Sequence, residues 1–150
     1  MLILGIETAT PQVSVALGGH EGVIARFDLA RGRRHAETLA PAIQFVCAQA
    51  DVELAELGVI AVDIGPGLFT GMRVGLATGK AMAHALRIPM IGLSSLDLLA
   101  FPHRSSERVV VPVVDARKGE VFYAMYRDVP GGLQQVTPPR AAPVADLVAD

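Results

Sequence analysis

Two carboxylates stand where apolar runs end. Glu7 follows Leu2–Ile6 and opens Glu7-Thr8-Ala9-Thr10, and Asp115 follows Val109–Val114 and opens Asp115-Ala116-Arg117. Acids at the ends of equivalent strands can hold a metal–nucleotide pair, and they can equally be turn formers. The segment Gly65-Pro66-Gly67-Leu68-Phe69-Thr70-Gly71-Met72-Arg73-Val74-Gly75 follows an apolar run and opens a helix, where backbone amides and the helix dipole attract anions. Its spacing excludes two phosphate motifs. A dinucleotide loop needs GxGxxG and the third glycine here is one residue late; a Walker loop needs Ser or Thr after Gly-Lys, and Gly79-Lys80 is followed by Ala81. A tight turn that aims the helix is favoured over a phosphate cradle. The positions left open for nucleotide or phosphate are Glu7, Thr8, Gly67, Asp115 and Arg117.

Metal chemistry lacks ligands at workable spacing. His20, His35, His84 and His103 form no HxxxH pair, and the single Cys47 lies in an apolar helical stripe where it packs. No metal is expected. The basic residues are eleven arginines and two lysines, Lys80 and Lys118; their only local run, Arg31-Gly32-Arg33-Arg34-His35, reads as a solvated loop in a chain of net charge 13 − 15 = −2. With 150 residues, 51% of them hydrophobic, and a mean hydropathy of +0.43, the chain is apolar for its length, and part of that surface calls for a partner. A membrane is not that partner, since no run approaches the ~18 apolar residues of a spanning helix. The best candidate, Ala81–Leu93, is broken by His84, Arg87 and Pro89. Met1-Leu2-Ile3-Leu4-Gly5 has no basic leader and reads as a first strand, so a cytoplasmic location is expected.

The elements that must position these residues follow from periodicity. Strands are expected at residues 2–7, 13–17 and 23–29, forming a meander, then a helix from Ala36 to Ala50 with Leu39, Ile43, Val46 and Cys47 on one face. A buried strand Gly58–Ile64, a helix from about Thr70 to Leu86 and a short strand Pro89–Leu93 complete an α/β unit with a mixed sheet. The opening then repeats: an offset of 108 residues places Glu7 on Asp115, Val13 on Val121, Ala16 on Ala124 and Leu17 on Met125. Strands are expected at Arg108–Val114 and Val121–Tyr126, with a turn at Pro130-Gly131-Gly132, a third strand to Val136 and a helix near Pro143. Residues 94–106 serve as a connector with a short helix capped by Ser94 or Ser95. The expected division is 1–104 and 105–150, the second part an incomplete copy with exposed apolar edges prone to poor solubility or swapped pairing.

Two helical surfaces invite contact. Arg73, Lys80, His84 and Arg87 share one stripe of the second helix, and Gly71, Gly75, Gly79 and Ala83 form a smooth ridge. Glycines cost up to ~1 kcal/mol each inside a helix, so something packs close to this ridge, either the chain's own sheet or a partner's helix. On the first helix Phe45 lies outside the core stripe with Pro41 and Ala48. The candidate partner face is therefore Pro41, Phe45, Ala48, Gly71, Met72, Gly75, Leu76, Gly79 and Ala83.

Four segments, Arg34-His35-Ala36-Glu37, GPGLFTGMRVG, Ser94-Ser95-Leu96 and Asp115-Ala116-Arg117-Lys118-Gly119-Glu120-Val121, resemble in order the RHSE, GPGSFTGLRIG, SSL and DARxGEV motifs of the TsaB (YeaZ) family. The resemblance covers about residues 1 to 126, with Leu68 standing where the family has serine. It implies a duplicated actin-like, ribonuclease H-like (ASKHA) fold, and a non-catalytic partner of the TsaD transferase in making threonylcarbamoyladenosine beside the tRNA anticodon. TsaE-type ATPase and TsaC-type enzymes act in the same pathway, and the two N-terminal helices contact TsaD or a second copy. It implies no cofactor in this chain, with ATP or ADP at the partner interface, and only indirect contact with tRNA. Two other functions stay open: an ATP-dependent kinase-like enzyme or peptidase using Glu7 and Asp115, and direct tRNA binding through Arg31, Arg33, Arg34 and the Arg73 stripe.

Overall fold

The computed structural model describes residues 1–30 and 34–149. The run Arg31-Gly32-Arg33 lies outside the described residues. The chain divides into two units, the first residues 1–64 with 68–93, the second Gly65–Gly67 with the chain from Ser94 onward.

The first unit is a five-stranded mixed sheet, ordered β3-β2-β1-β4-β5, of β1 (Leu2–Glu7), β2 (Val13–Gly19), β3 (Gly22–Leu29), β4 (Leu57–Asp63) and β5 (Met90–Leu93). β1, β2 and β3 pair antiparallel, while β4 runs parallel to both β1 and β5. Alternation decides the buried face: Leu4 and Ile6 line up with Leu17 and Val15 on one side and with Ile60 and Val62 on the other. Two helices, α1 (His35–Gln49) and α2 (Phe69–Leu86), cover that face. α1 sets Leu39, Ile43 and Val46 against β2 and β3, and α2 lies over β4, β1 and β5. Pro41 sits inside α1 on its exposed side, where the missing backbone donor is tolerated. α2 ends at Arg87 in the left-handed conformation (φ 56°), whose N–H reaches back to the last turn.

The second unit contains α3 (Ser95–Ala100), capped by Ser94 Oγ accepting from Leu96 N at 3.2 Å. A three-stranded sheet β10-β7-β6 follows, from β6 (Val113–Arg117), β7 (Glu120–Tyr123) and β10 (Arg140–Pro143), with a separate hairpin β8 (Tyr126–Val129) and β9 (Gly132–Gln135), and α4 (Val144–Ala149). Its core joins Leu96 and Ala100 of α3 to Ala124 and Tyr126. That packing puts the boundary at Leu93/Ser94 and not at the expected 104/105. The order β10-β7-β6 mirrors β3-β2-β1, a meander followed by a helix, so the repeat holds at the level of topology.

Two strands differ from expectation. The run Arg108–Val114 does not form one ladder strand: Pro112 supplies no N–H, Val110 makes an isolated bridge to Tyr126, and β6 starts only at Val113. The segment up to Val136 is not the third strand of the sheet, because Pro130-Gly131-Gly132 closes a local hairpin with both glycines at positive φ, and β10 takes the third place. No helix among the described residues is long and apolar enough to cross a membrane.

Candidate functional site

The first candidate site lies at the end of β1. Glu7 is the last residue of that strand, and its carboxylate turns back onto the following residues: Oε1 accepts from Thr10 N and Oε2 from Thr10 Oγ1, each at 2.9 Å. Burial is the main force raising the Glu7 pKa; the two Thr10 hydrogen bonds oppose it, and buried Asp63 at the end of parallel β4 adds to it. Thr8 is fully buried and donates its hydroxyl to the Gly71 carbonyl at 2.8 Å. His35, at the first turn of α1, is 6% exposed and donates from Nε2 to the Thr10 carbonyl at 2.8 Å. The turn after β1 is thus tied to the starts of both helices.

Electrostatically this is a poor phosphate site. The amide of Thr10 that would meet an anion already holds a carboxylate, and the turn has alanine and threonine where a phosphate would need glycine for close approach. Asp115 behaves alike in the second unit: its Oδ1 accepts from Arg117 N at 2.7 Å, shaping the turn Arg117-Lys118-Gly119 in which all three residues have positive φ. Arg117 is exposed and Gly67 half-buried. No group of three or more potential metal ligands occurs among the described residues.

The second candidate site is the helical face, and here geometry separates the predicted residues. Gly71, Gly75 and Gly79 point at the chain's own sheet and are buried. A methyl group on Gly79 would stand 2.6 Å from Val62 Cγ2; one on Gly71 would strike the Thr8 carbonyl, and one on Gly75 the Thr8 hydroxyl. The ridge therefore serves α2-on-sheet packing, which corrects the partner assignment of these three glycines. Leu76 and Ala83 also pack against the core, and Met72 is half-buried. What faces outward is Pro41, Phe45 and Ala48 on α1, with Phe45 50% exposed and edge-on to Phe27 at 6.1 Å. Outward on α2 are Phe69, Arg73, Ala77, Lys80, Ala81 and His84, the Arg73 guanidinium lying 4.1 Å over the Phe69 ring.

Two residues of the first site escape pattern reading. His35 sits inside a basic run, yet its spacing to Leu39, Ala42 and Val46 is helical, and that was the available signal. Asp63 ends an apolar strand and signals its position only through its charge. Buried Cys47 has its thiol pKa pushed up by that burial, in keeping with packing. A groove of about 320 Å³ along Met1, Leu2 and the β2–β3 turn contains none of these residues.

A mixed sheet with this strand order, covered by helices and followed by a second meander, is the actin-like, ribonuclease H-like architecture. The ethanolamine utilization protein EutJ from Carboxydothermus hydrogenoformans shares the fold at a TM-score of 0.56 and 13% identity, over 95% of this chain and 52% of EutJ. YeaZ from Pseudomonas aeruginosa superposes at a TM-score of 0.86 with 28% identity, covering 95% of this chain and 67% of YeaZ. The family described as "TsaD: tRNA N6-adenosine threonylcarbamoyltransferase" matches residues 28–149. The tRNA threonylcarbamoyladenosine biosynthesis protein TsaB of Bacillus subtilis (strain 168) is 34% identical over 97% of this chain and 64% of its own length. For TsaB of Escherichia coli (strain K12) the figures are 36%, 85% and 55%. The chain belongs to this threonylcarbamoyltransferase family, on its TsaB (YeaZ) branch. It spans under two thirds of the length of these two curated relatives.

Proposed function

We propose that this chain is a non-catalytic partner of a TsaD-type transferase in the threonylcarbamoyladenosine modification of tRNA, docking through the outward faces of α1 and α2. The observation that carries the non-catalytic reading is that both strand-end acids are spent on their own turns, Glu7 on Thr10 and Asp115 on the Arg117 amide. The docking reading is supported by Phe45, held edge-on to Phe27 yet half exposed beside Pro41 and Ala48. In this reading ATP or ADP belongs to the interface with the transferase, a TsaE-type ATPase and a TsaC-type enzyme act in the same pathway, and tRNA is met through the transferase. Without the transferase, two copies of the chain associate through the same two helices.

Co-purification tests it. The tagged chain is expected to retain the TsaD-type homologue of the same organism, and Ala48→Glu is expected to abolish retention while changing stability by no more than about 0.5 kcal/mol, as usual for an exposed site. Unaltered retention would remove α1 from the interface. Substitutions such as Gly75→Leu are unsuitable, because they would report on the fit of α2 to the sheet.

A further inference from the structure

We infer that the open edge of β3 is an interaction surface for a second copy of this chain, the two strands pairing antiparallel about Phe27; this surface belongs to the sheet and stands apart from the partner reading above. β3 ends the sheet order β3-β2-β1-β4-β5, so one side of its backbone turns a row of N–H and C=O groups outward. Such edges are commonly blunted by proline, lysine or a bulge. β3 has neither proline nor lysine, and its one irregularity, a register shift that leaves Ile24 without an opposite residue on β2, falls near its start. A regular segment remains, Ala25–Leu29 opposite Leu17–Val13, and Phe27 is its middle residue.

The charges of that segment complement one another under a twofold rotation. Ala25 and Phe27 pack toward the core, so Arg26 and Asp28 stand on the other face of the sheet. There Asp28 Oδ1 accepts from Ser14 Oγ at 2.8 Å and Asp28 Oδ2 from Arg26 Nε at 2.7 Å. A second copy laid antiparallel with Phe27 opposite Phe27 sets each Arg26 opposite the other copy's Asp28, and each Ala25 opposite Leu29. Sliding by two residues in either direction sets Arg26 opposite Arg26 or Asp28 opposite Asp28, and like charges directly opposite are destabilising. One register is therefore selected. At its centre two half-buried Phe27 rings meet, each held edge-on by its own Phe45. An extended segment of another protein satisfies the same backbone groups but matches these charges only if it carries the same order of residues, which a second copy brings by construction. The contact is isologous and closes at two chains.

Analytical ultracentrifugation of the full chain tests this, with Ala48→Glu as the background so that association through the helices is removed. That chain is expected to dimerise as its concentration rises, and β3 amides to gain protection from hydrogen exchange in step. Arg26→Asp makes the segment acidic and Asp28→Arg makes it basic, and each alone is expected to associate about tenfold more weakly. Mixed in equal amounts, the two variants are expected to recover the dimer, since every aspartate then meets an arginine; Arg26→Asp/Asp28→Arg within one chain is expected to recover it too. Recovery on mixing cannot come from repaired folding, because the chains carry the same substitutions mixed or alone. A monomer at every concentration, or a dimer that neither single substitution weakens, overturns the inference and leaves the partner reading standing. Weakening without recovery on mixing places the effect in the folding of β3 and overturns it as well. Single variants that lose the transferase homologue in co-purification while self-association is unchanged reassign the edge to that partner and overturn it too.

Discussion

Glu7 donates nothing and accepts twice, and that choice shapes its titration. Its pKa is raised in the fold, mainly by burial, so the folded chain keeps the Glu7 proton to higher pH than the unfolded chain does. The stability it contributes is full below the unfolded value of 4.5 and is lost as pH rises through the folded value. Glu7→Gln, neutral throughout, should therefore gain on the native protein as pH climbs from about 4 to about 7, read as the difference in urea midpoints. A difference that shrinks over that range would mean that the Thr10 hydrogen bonds outweigh burial. The acids at the strand ends were visible as letters, but their occupation was not. Whether a carboxylate faces a ligand or its own turn depends on backbone direction beyond the strand, which periodicity does not encode. The glycines of α2 were equally visible, and the need for close approach was readable from their spacing. Which body approaches is a tertiary fact, decided here by Thr8 and Val62.

At the level of elements, β1, β2 and the two helices of the first unit follow from alternation and helical period, because each turns one face to a single core, while β4 follows from a continuous apolar run because it is buried on both faces. In the second unit the pattern misleads where local chemistry interrupts it: Pro112 delays β6, and the Pro130-Gly131-Gly132 turn diverts a strand into a hairpin. That hairpin packs on α3 and is also hydrogen-bonded to it, Tyr126 Oη donating to Asp97 Oδ1 at 2.6 Å, with the phenol buried. Burial and the Asp97 acceptor hold the Tyr126 pKa above the ordinary tyrosine range. Tyr126→Phe should lower stability by about 1 kcal/mol and no more, because Asp97 is exposed and water replaces the phenol. Thermal denaturation measures this, and a larger loss would show that the hydroxyl organises the whole α3–β8 contact.

For the whole molecule, the apolar excess has several addresses. Large exposed side chains lie on β3 (Val23, Ile24), α1 (Phe45), β5 (Ile91, Leu93), α3 (Leu98, Leu99) and α4 (Val144, Val148), and α2 contributes cations and alanines to the surface beside Phe69. Composition announced the excess but not its distribution, since exposure is a property of neighbours.

The parallel pairing of β1 with β4 joins Leu2 to Leu57 and Ile6 to Val62, so α1 must be spanned before the first sheet can close. The β8–β9 hairpin, by contrast, joins Val129 to Gly132 and zips outward from its turn. Loop closure makes the first kind of contact slow and the second fast. Pulse-labelled hydrogen exchange during refolding should protect β8 and β9 amides before those of β1 and β4. The family's signature glycine segment would then take its final shape late, because α2 can settle onto Thr8 and Val62 only after the strands beneath it have met.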